Sequence, residues 1–533
     1  MERKWWTLIV VSASTFMLLL DITVVNVALP SIREDLDAGF ADLQWVVDAY
    51  AFTLAALVLT AGSLADRLGR RRVFAVGLGI FSIASLFCGS AADPAFLSLA
   101  RAAQGVGGAV MFAVSLALIA QEFPAGRERG TAMGMYGATI GVAVAVGPLV
   151  GGALTDSLGW ESIFYFNVPV GVGAIAIVYL KLRESRDPNA TRIDWAGVVS
   201  FSGALFLLVF ALVRGNEEGW ASPLIVALLA GACGLFVAFI VIESKVAEPM
   251  LPRSLFKLPA FTGVQLAAFA ISGSMLALFL YLTLYLQSYL GYSPLEAGLR
   301  YLPITLMAFL FGPIAGALIS RVPSRLLMSA GLGIAGLGML LMSGIDVGSE
   351  WTTLLGGFLV AGAGLGLLNP VIADAALKVL PKEQSGLAAG INDTFRQVGI
   401  AVGIAAWGAI LVGRGADTVD ELLAGTALAR VARPRELIEA ASSGDLDQVM
   451  AGLPVPAQQL AAHATAEGFI TGLNDVLTLG ALLSFGGAIL VLWLVRQHEI
   501  DPDPAEVEPA AQDVPNAVAT LREQVQTESR RGM

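Results

Sequence analysis

Three ionisable residues stand inside long apolar runs near the amino terminus. Asp21 lies about eight residues before the end of its run, and Asp48 and Arg101 lie about five and six residues into theirs. If the runs are helices that cross a membrane, the rise of about 1.5 Å per residue puts all three groups at a similar depth. A buried carboxylate whose distance from an arginine can change can bind or release a proton. The pattern therefore predicts a protonation switch.

For all three residues a structural interpretation stays open. Asp21 and Arg101 could form a static ion pair that joins the first and fourth helices. Asp48 could belong to a polar stripe that faces water near a helix end, because Gln44 lies one turn before it. Ionisable groups inside spans cost about 2.5–3.5 kcal/mol each, so a function is the default hypothesis for all three.

A second polar motif, GSLADRLGRRR, occupies residues 62–72. It runs from Gly62 through Asp66 to a basic cluster that begins at Arg70. A carboxylate at a helix end can pair with an arginine or accept hydrogen bonds from the amino terminus of a facing helix. Membrane topology alone would explain the arginines but not Asp66, so we predict that Asp66 is a conformational latch.

Two stretches combine glycine with polar or kinking residues. GATIGVAVAVGPLVGG at 137–152 spaces Gly147 and Gly151 by four residues, which gives a flat face for helix contact, and Pro148 adds a kink. Later in the chain, Asn392 and Arg396 lead into two glycines on the same helical face. That face predicts contact with a central cavity or packing between helices.

The elements that position these residues are predicted to be membrane-spanning helices. The 533 residues are 56% hydrophobic and 14% charged, with a mean hydropathy of +0.74, whereas soluble domains carry about 25% charged residues. One crossing takes about 20 apolar residues. Fourteen spans are predicted near 6–29, 43–64, 73–91, 95–119, 131–154, 162–180, 194–213, 222–242, 261–289, 295–319, 325–344, 352–373, 386–411 and 469–495. The fold class is an all-α polytopic membrane protein.

An internal repeat predicts how the spans are grouped. The motif GSLADRLGRRR at 62–72 recurs in altered form as GALISRVPSR at 316–325, where Ser320 stands in place of Asp66. The segment EFPAGRERG likewise recurs as VLPKEQSG. Parallel repeats of this kind are typical of transporters. We predict an N-terminal six-helix bundle (1–185), an inserted two-helix hairpin (190–245), a C-terminal six-helix bundle (258–496) with an extracytoplasmic loop (413–468), and a disordered cytoplasmic tail (497–533).

The distribution of basic residues predicts the orientation. Arginine and lysine cluster in alternate loops, such as GRRR at 69–72 and the segments 181–192 and 245–257, and the opposite loops hold few. The positive-inside rule then places both termini in the cytoplasm, with the protein in the inner (plasma) membrane. No basic domain is present, so nucleic-acid binding is not expected.

At these motifs the chain resembles the major facilitator superfamily, in particular its fourteen-helix drug:proton antiporters. The resemblance rests on LDITVVNVALP (20–30), WVVDAYAFTLAAL (45–57), GSLADRLGRRR, RAAQG (101–105), GPLVGG (147–152), WESIFYFNVPVG (160–171) and SPLEAGLRYLP (293–303), which follow the family order. It covers nearly all of residues 5–411, and Glu161 departs from the expected arginine. It implies alternating access around a cavity between two six-helix bundles.

The resemblance suggests proton coupling by Asp21 and Arg101, a cytoplasmic gate at Asp66 and Arg67, and an exporter motif at Gly147 and Pro148; the other site residues are expected from the sequence pattern. The expected sites are proton coupling by Asp21, Arg101 and Asp48; a cytoplasmic gate of Gly62, Asp66, Arg67 and Arg70; an antiporter motif of Gly147, Pro148, Gly151 and Gly152; and cavity candidates Asn26, Tyr50, Asn392, Asp393 and Arg396. No metal or cofactor is expected.

The predicted function is proton-coupled export of small amphiphilic organic compounds by a monomer in the lipid bilayer. Export of a single endogenous metabolite, uptake by proton symport and a non-transporting sensor are the alternatives. An enzyme is not expected: GLGIAG at 331–336 matches a dinucleotide fingerprint but lies in an apolar span with no preceding strand, and no GxxxxGK[ST] motif is present. Few acids could meet a cation, so neutral or singly charged substrates are favoured over divalent ones.

Overall fold

The protein is described here from a computed structural model. It describes residues 2–496 except 39, 125–126, 187–193, 247–250, 252, 380–384, 427–432, 444–445 and 451–454. The predicted tail 497–533 lies outside the described residues. Helices account for nearly all of the described chain, and none of the described residues forms a strand.

Six long helices coincide with the first six predicted spans. They are α1 (Arg3–Asp35), α2 (Phe40–Leu68), α3 (Arg70–Gly89), α4 (Pro94–Glu122), α5 (Arg127–Leu158) and α6 (Ser162–Lys181). Their ends follow local chemistry. The carboxylate of Asp93 accepts a 2.9 Å hydrogen bond from the Phe96 amide and Pro94 occupies the first turn, so α4 starts there.

Eight further helices coincide with the remaining predicted spans. They are α7 (Trp195–Glu218), α8 (Pro223–Glu243), α9 (Pro259–Tyr289), α10 (Leu302–Leu318), α11 (Ser324–Met342), α12 (Leu355–Lys378), α13 (Ser385–Leu423) and α14 (Val455–Leu494). α9 contains two π-helical segments, Ser272–Leu276 and Tyr285–Tyr289. A short helix, Pro294–Arg300, precedes α10.

Among the described helices, twelve segments have the length and hydropathy of a membrane crossing. α10, with 17 residues, is apolar but shorter than these, and α5, with 32 residues, is not among the twelve. Fourteen helices thus lie where fourteen spans were predicted, and the number of crossings stays a prediction.

Helix packing repeats with an offset of eight helices. In the first set, α2 packs on α4, α3 on α4 and α6, and α1 on α5. In the second set, α10 packs on α12, α11 on α12 and α14, and α9 on α13. The two sets meet along two seams, α2 with α13 and α5 with α10, which are equivalent under the same offset.

Glycines make both seams close at one end of the molecule. A Cβ atom on Gly62 of α2 would clash with the carbonyl oxygen of Gly386 on α13, and one on Gly130 of α5 would clash with that of Gly316 on α10. Gly62 and Gly316 are matched positions of the predicted repeat. The ends of α2 and α10 are predicted to be cytoplasmic, so both seams are closed on that side.

The inserted pair packs against one of the seams. α7 and α8 pack on each other, and α7 also contacts α2 and α13. Phe206 and Phe210 of α7 pack against Phe52 of α2, with ring centroids 5.9 and 5.2 Å away. The hydroxyls of Thr60 and Ser202 lie 2.9 Å apart in the same contact. The pair therefore covers the α2–α13 seam from its outer surface.

The helices that carry the thirteenth and fourteenth predicted spans continue beyond the span limits near 411 and 469. α13 continues to Leu423 and α14 begins at Val455, and the two extensions contact each other at Gly415 and Gly468. A short helix, Pro434–Ser443, packs on both through buried Ile438. Charged residues made this region unsuited to lipid, but exposed charges do not end a helix whose other face is buried.

The glycine seam generates a prediction. Gly62→Val should push α2 away from α13, because the added side chain meets backbone atoms that cannot move aside. With Cys233 replaced by serine, nitroxide labels on cysteines at exposed positions 68 and 320 should report longer distances by electron-electron resonance. The matched control is Gly79→Val, where nothing lies within 4 Å of the added atom. An unchanged distance distribution in Gly62→Val would contradict the prediction.

Candidate functional site

Asp21 is the centre of a buried hydrogen-bond network. Its side chain and that of Arg101 are each only 1% exposed, and Arg101 Nη1 donates to Asp21 Oδ2. Gln104 Nε2 and Asn167 Nδ2 each donate to Asp21 Oδ1 at 2.8 Å. A carboxylate on α1 thus has three donors, from α4 and α6. Burial without such donors would be costly for an ionised group.

Arg101 is held on every side. Its Nε donates to the carbonyl oxygen of Val46 at 3.1 Å and its Nη1 to Gln104 Oε1 at 2.7 Å. Its guanidinium carbon lies 4.3 Å from the ring centroid of Tyr50, a cation–π contact. The structure therefore places Tyr50, a cavity candidate from the sequence, beneath Arg101, where its side chain is 2% exposed.

Two members of this network were missed by the sequence reasoning. Gln104 follows Arg101 by one helical turn, and Asn167 is a lone amide in an otherwise apolar helix. Ser85 on α3 accepts from both, at 2.8 and 3.4 Å. Their position in apolar spans was a signal that could have identified them. A side-chain amide inside such a span needs a hydrogen-bond partner, and the carboxylate of Asp21 could supply one.

The arrangement can respond to a proton. Protonating Asp21 would remove the negative charge that Arg101 and the two amides contact, and would leave Arg101 buried without a counter-charge. A buried pair that loses one charge is strongly destabilised, so the helices that carry these groups must shift or admit water. Such a response would make the network a proton-sensitive joint between α1, α4 and α6, and the protonation switch stays a prediction.

Asp48 is not part of this joint. Its carboxylate lies 4.0 Å from Arg214 Nε on α7, and the Arg214 guanidinium lies 5.3 Å from the ring centroid of Trp45. The structure therefore does not bring Asp48 to Asp21 and Arg101. Arg214 lies in the last turns of α7, which ends at Glu218.

Asp66 spans the seam between α2 and α13. Its Oδ1 accepts from the Gly386 amide at 2.9 Å and its Oδ2 from the Leu387 amide at 2.7 Å. Arg70 Nε donates to the same Oδ1 at 2.9 Å. A negative charge at a helix amino terminus is favourable, because the first amides have no partners within the helix. Asp66 thus contacts both kinds of partner that the sequence analysis considered, an arginine and the amino terminus of a facing helix.

The surroundings of Asp66 order the gate region. The Arg70 amide donates to the Ser185 carbonyl oxygen at 2.9 Å, which docks the segment after α6 under the start of α3. Arg67 is half-buried at the end of α2, beside Asp66, and Gly62 lies one turn earlier. At the matched position of the repeat, Ser320 is exposed, and its hydroxyl donates to the Ala317 carbonyl oxygen at 3.4 Å.

The glycines of α5 serve contact with α1. A Cβ atom on Gly147 would overlap the hydroxyl oxygen of Thr23, and one on Gly151 would lie 3.1 Å from Val24 Cα. Gly152 has open space beside it. The side chains of Pro148 and of the cavity candidate Asn26 lie outside the described residues. The α1–α5 contact lies on both sides of Asp21, since the Thr15 hydroxyl of α1 also donates to Tyr136 of α5 at 3.3 Å.

The polar face of α13 packs within its own set of helices. Asn392 Nδ2 donates to Gln265 Oε1 on α9 at 3.2 Å, and Arg396 Nη2 donates to Asn369 Oδ1 on α12 at 3.0 Å. Gly399 and Gly403 meet the backbone of α9. The sequence left two alternatives open for this face, contact with a central cavity and packing between helices. The contacts of its glycines support packing between helices. Asp393 points from a neighbouring face and is 2% exposed.

Comparison with known families decides the broad assignment. The model of the Major Facilitator Superfamily matches residues 11–404. The chain belongs to the Major Facilitator Superfamily. This confirms the resemblance found in the motifs, and membership with twelve candidate spans makes the chain a multi-pass membrane protein.

Curated members of the Major Facilitator Superfamily include close relatives. The chain is 39% identical to a puromycin resistance protein of Streptomyces alboniger, over 76% of this chain and 81% of that protein. It is 32% identical to a tetracenomycin C resistance and export protein of Streptomyces glaucescens, over 95% and 94% of the two chains. The crystal structure of a human organic anion transporter has the same fold, with a TM-score of 0.58, 16% identity and coverage of 90% of this chain and 99% of that one.

The Asp66 contacts generate a prediction. Asp66→Asn should weaken the α2–α13 seam, because charged hydrogen bonds to two amides and to Arg70 contribute about 1.5–3 kcal/mol each. Turnover in proteoliposomes should slow about five- to tenfold while substrate affinity, measured by equilibrium binding, stays within twofold. Ser320→Asn, at the matched exposed position, is the control and should transport normally. Normal turnover in Asp66→Asn would remove the latch role.

Proposed function

We propose that this protein is a proton-coupled antiporter that exports small amphiphilic organic compounds across the inner membrane by alternating access. The observation that carries the proposal is the buried Asp21–Arg101 network, which has the means to couple a proton to helix movement. The direction and cargo class are supported by relatives whose names record resistance to puromycin and both resistance to and export of tetracenomycin C.

The two moving bodies are residues 1–185 and 258–496, with 190–245 as an inserted hairpin. The repeated packing pattern and the two equivalent seams support this division. Both seams are closed at the side predicted to be cytoplasmic, so the conformation suits release of cargo to the outside. Both termini are cytoplasmic in this proposal, and the protein works as a monomer with small molecules and protons as its partners.

The proton acts through α1 and α5. When Asp21 is ionised, Arg101, Gln104 and Asn167 hold α1 against α4 and α6. Protonation releases those donors and lets α1 shift. α1 packs on α5 through Thr23 and Gly147, and the start of α5 forms the seam with α10. A change at Asp21 therefore reaches the cytoplasmic seam through two rigid helices.

Asp21→Asn tests the proposal. The variant should fold but be less stable, because asparagine Oδ1 can still accept from the two amides while Arg101 loses its counter-charge, and it should lose proton coupling because it cannot ionise. In energised everted vesicles that contain the protein, addition of puromycin or tetracenomycin C should release protons from the wild type and at most a tenth as many from the variant.

Asp48→Asn is the matched control. Its carboxylate pairs with Arg214 outside the network, so coupling should persist within about twofold of the wild type. Full proton release from Asp21→Asn would exclude Asp21 as the coupling group. In intact cells, export is measured by comparing antibiotic susceptibility with and without the protein. If neither the vesicles nor the cells show export, the exporter proposal is refuted.

A further inference from the structure

A cavity lies between α2, α4 and α7, on a side of the first helix set that the Asp21 network does not use. Its volume is about 430 Å³, within the range of roughly 300–1,000 Å³ that is typical of ligand pockets. All three helices contain segments with the length and hydropathy of a membrane crossing. α7 belongs to the inserted pair and contributes Phe206 to the wall, so the inserted pair completes the cavity.

Hydrocarbon makes up most of the cavity wall. Its aromatic and aliphatic side chains come from all three helices: Trp45, Ala49, Phe52, Leu99, Ala102 and Phe206. Thr53 lies at the inner end, where its hydroxyl already donates within the fold, at 2.9 Å from the Ala102 carbonyl oxygen. A polar cargo molecule would leave hydrogen-bonding groups unpaired at this depth, whereas a hydrocarbon chain would not. The inner part of the cavity therefore favours a purely apolar occupant.

The mouth of the cavity faces the bilayer. Leu99 at the rim is 72% exposed, whereas Phe52 at the floor is fully buried. With 3.6 residues per turn, Leu99 lies on the opposite face of α4 from Arg101 and Gln104, which point into the buried network. The outer face of a membrane-spanning helix meets lipid, so lipid is what covers this opening.

The height of the cavity matches one leaflet of the membrane. Thr53 lies roughly 20 Å from the start of α2 at Phe40, and Ala102 lies roughly 12 Å from the start of α4 at Pro94. Both of these helix ends are predicted to be on the outer side. Half of the hydrocarbon core is about 15 Å thick. The cavity therefore extends from the outer surface to near the middle of the bilayer.

The cavity also lies directly behind the Asp21–Arg101 network. Ala102 of the wall follows Arg101 in sequence, and Ala49 of the wall precedes Tyr50, which contacts the Arg101 guanidinium. The same turns of α2 and α4 thus carry wall residues on one face and network residues on another. An empty space beside packed helices forfeits dispersion contacts that an occupant would supply. An occupant would therefore support the helix pair that holds Arg101.

We propose that this cavity binds one acyl chain of a phospholipid from the outer leaflet. The chain fills the apolar part between α2, α4 and α7, and the head group stays at the outer end, where Asp42 and Ser98 line the cavity. The inserted pair thereby acquires a task, which is to hold a lipid chain against the back of the proton-coupling helices. The inference does not depend on the direction of transport or on the cargo.

Retention of lipid by the purified full-length protein tests the site. The protein in detergent is titrated with palmitoyl-oleoyl phosphatidylethanolamine, and bound molecules are counted by native mass spectrometry. We expect the wild type to retain one lipid at detergent concentrations that remove the lipids on the rest of its surface. Ser98→Trp places an indole ring in the cavity and should weaken that binding at least tenfold.

Two variants serve as matched controls. Ser98→Ala leaves the cavity open, and Val199→Trp adds the same indole ring at a position of α7 that is 68% exposed and outside the cavity wall. Both should retain lipid within twofold of the wild type. Equal retention by Ser98→Trp overturns the inference, and so does a wild type that retains no lipid.

A measurement on the wild type decides the outcome if Ser98→Trp does not fold. In nanodiscs, the same lipid carries a diazirine in the middle of its oleoyl chain, and cross-linked residues are mapped by peptide mass spectrometry. Labelling of Leu99 and Phe206 should exceed that of Val226 and Val237, exposed residues of α8, at least fivefold. Equal labelling overturns the inference. Loss of the label on addition of puromycin or tetracenomycin C also overturns it, because it assigns the cavity to cargo.

Discussion

The ion pair between Asp21 and Arg101 is the constraint on which the first helix set depends. Two charges removed from water cost several kcal/mol each, and that cost is recovered only when every polar atom finds a partner. Gln104, Asn167, Ser85 and the backbone of α2 supply those partners. Five helices therefore converge on one point, and the charge state of one carboxylate bears on how they pack.

Glycine transmits that constraint to the seams. α1 and α5 meet where Gly147 leaves room for Thr23, and α5 meets α10 where Gly130 lies against Gly316. Backbone contacts of this kind cannot be compressed gradually, so such a seam is either closed or open. Asp66 adds a charged contact at the α2–α13 seam, whereas the matched residue Ser320 of the second helix set is an exposed, uncharged serine. The frame therefore repeats, but the charge at this position does not.

Most of the fold could be predicted from the residues. Each membrane crossing must be long, apolar and helical, so hydropathy located all fourteen helices. The repeat of the 62–72 motif at 316–325 pointed to two related halves because loop residues recur when the frame recurs. The ends of α13 and α14 could not be predicted in this way, since hydropathy measures suitability for lipid and those extensions are stabilised by Ile438.

The sequence by itself determined which groups were costly to bury, because a charged side chain in an apolar run carries a large desolvation cost. These groups are Asp21, Arg101, Asp66, Asp393 and Arg396. Only the tertiary structure decided which partner each one has. It gave Asp21 three donors, placed Asp48 beside Arg214 and Tyr50 under Arg101, and left Asp393 Oδ2 without a hydrogen-bond partner among the described residues. The physical reason is that cost depends on residue type and local hydropathy, whereas partners depend on which helices meet and at what height.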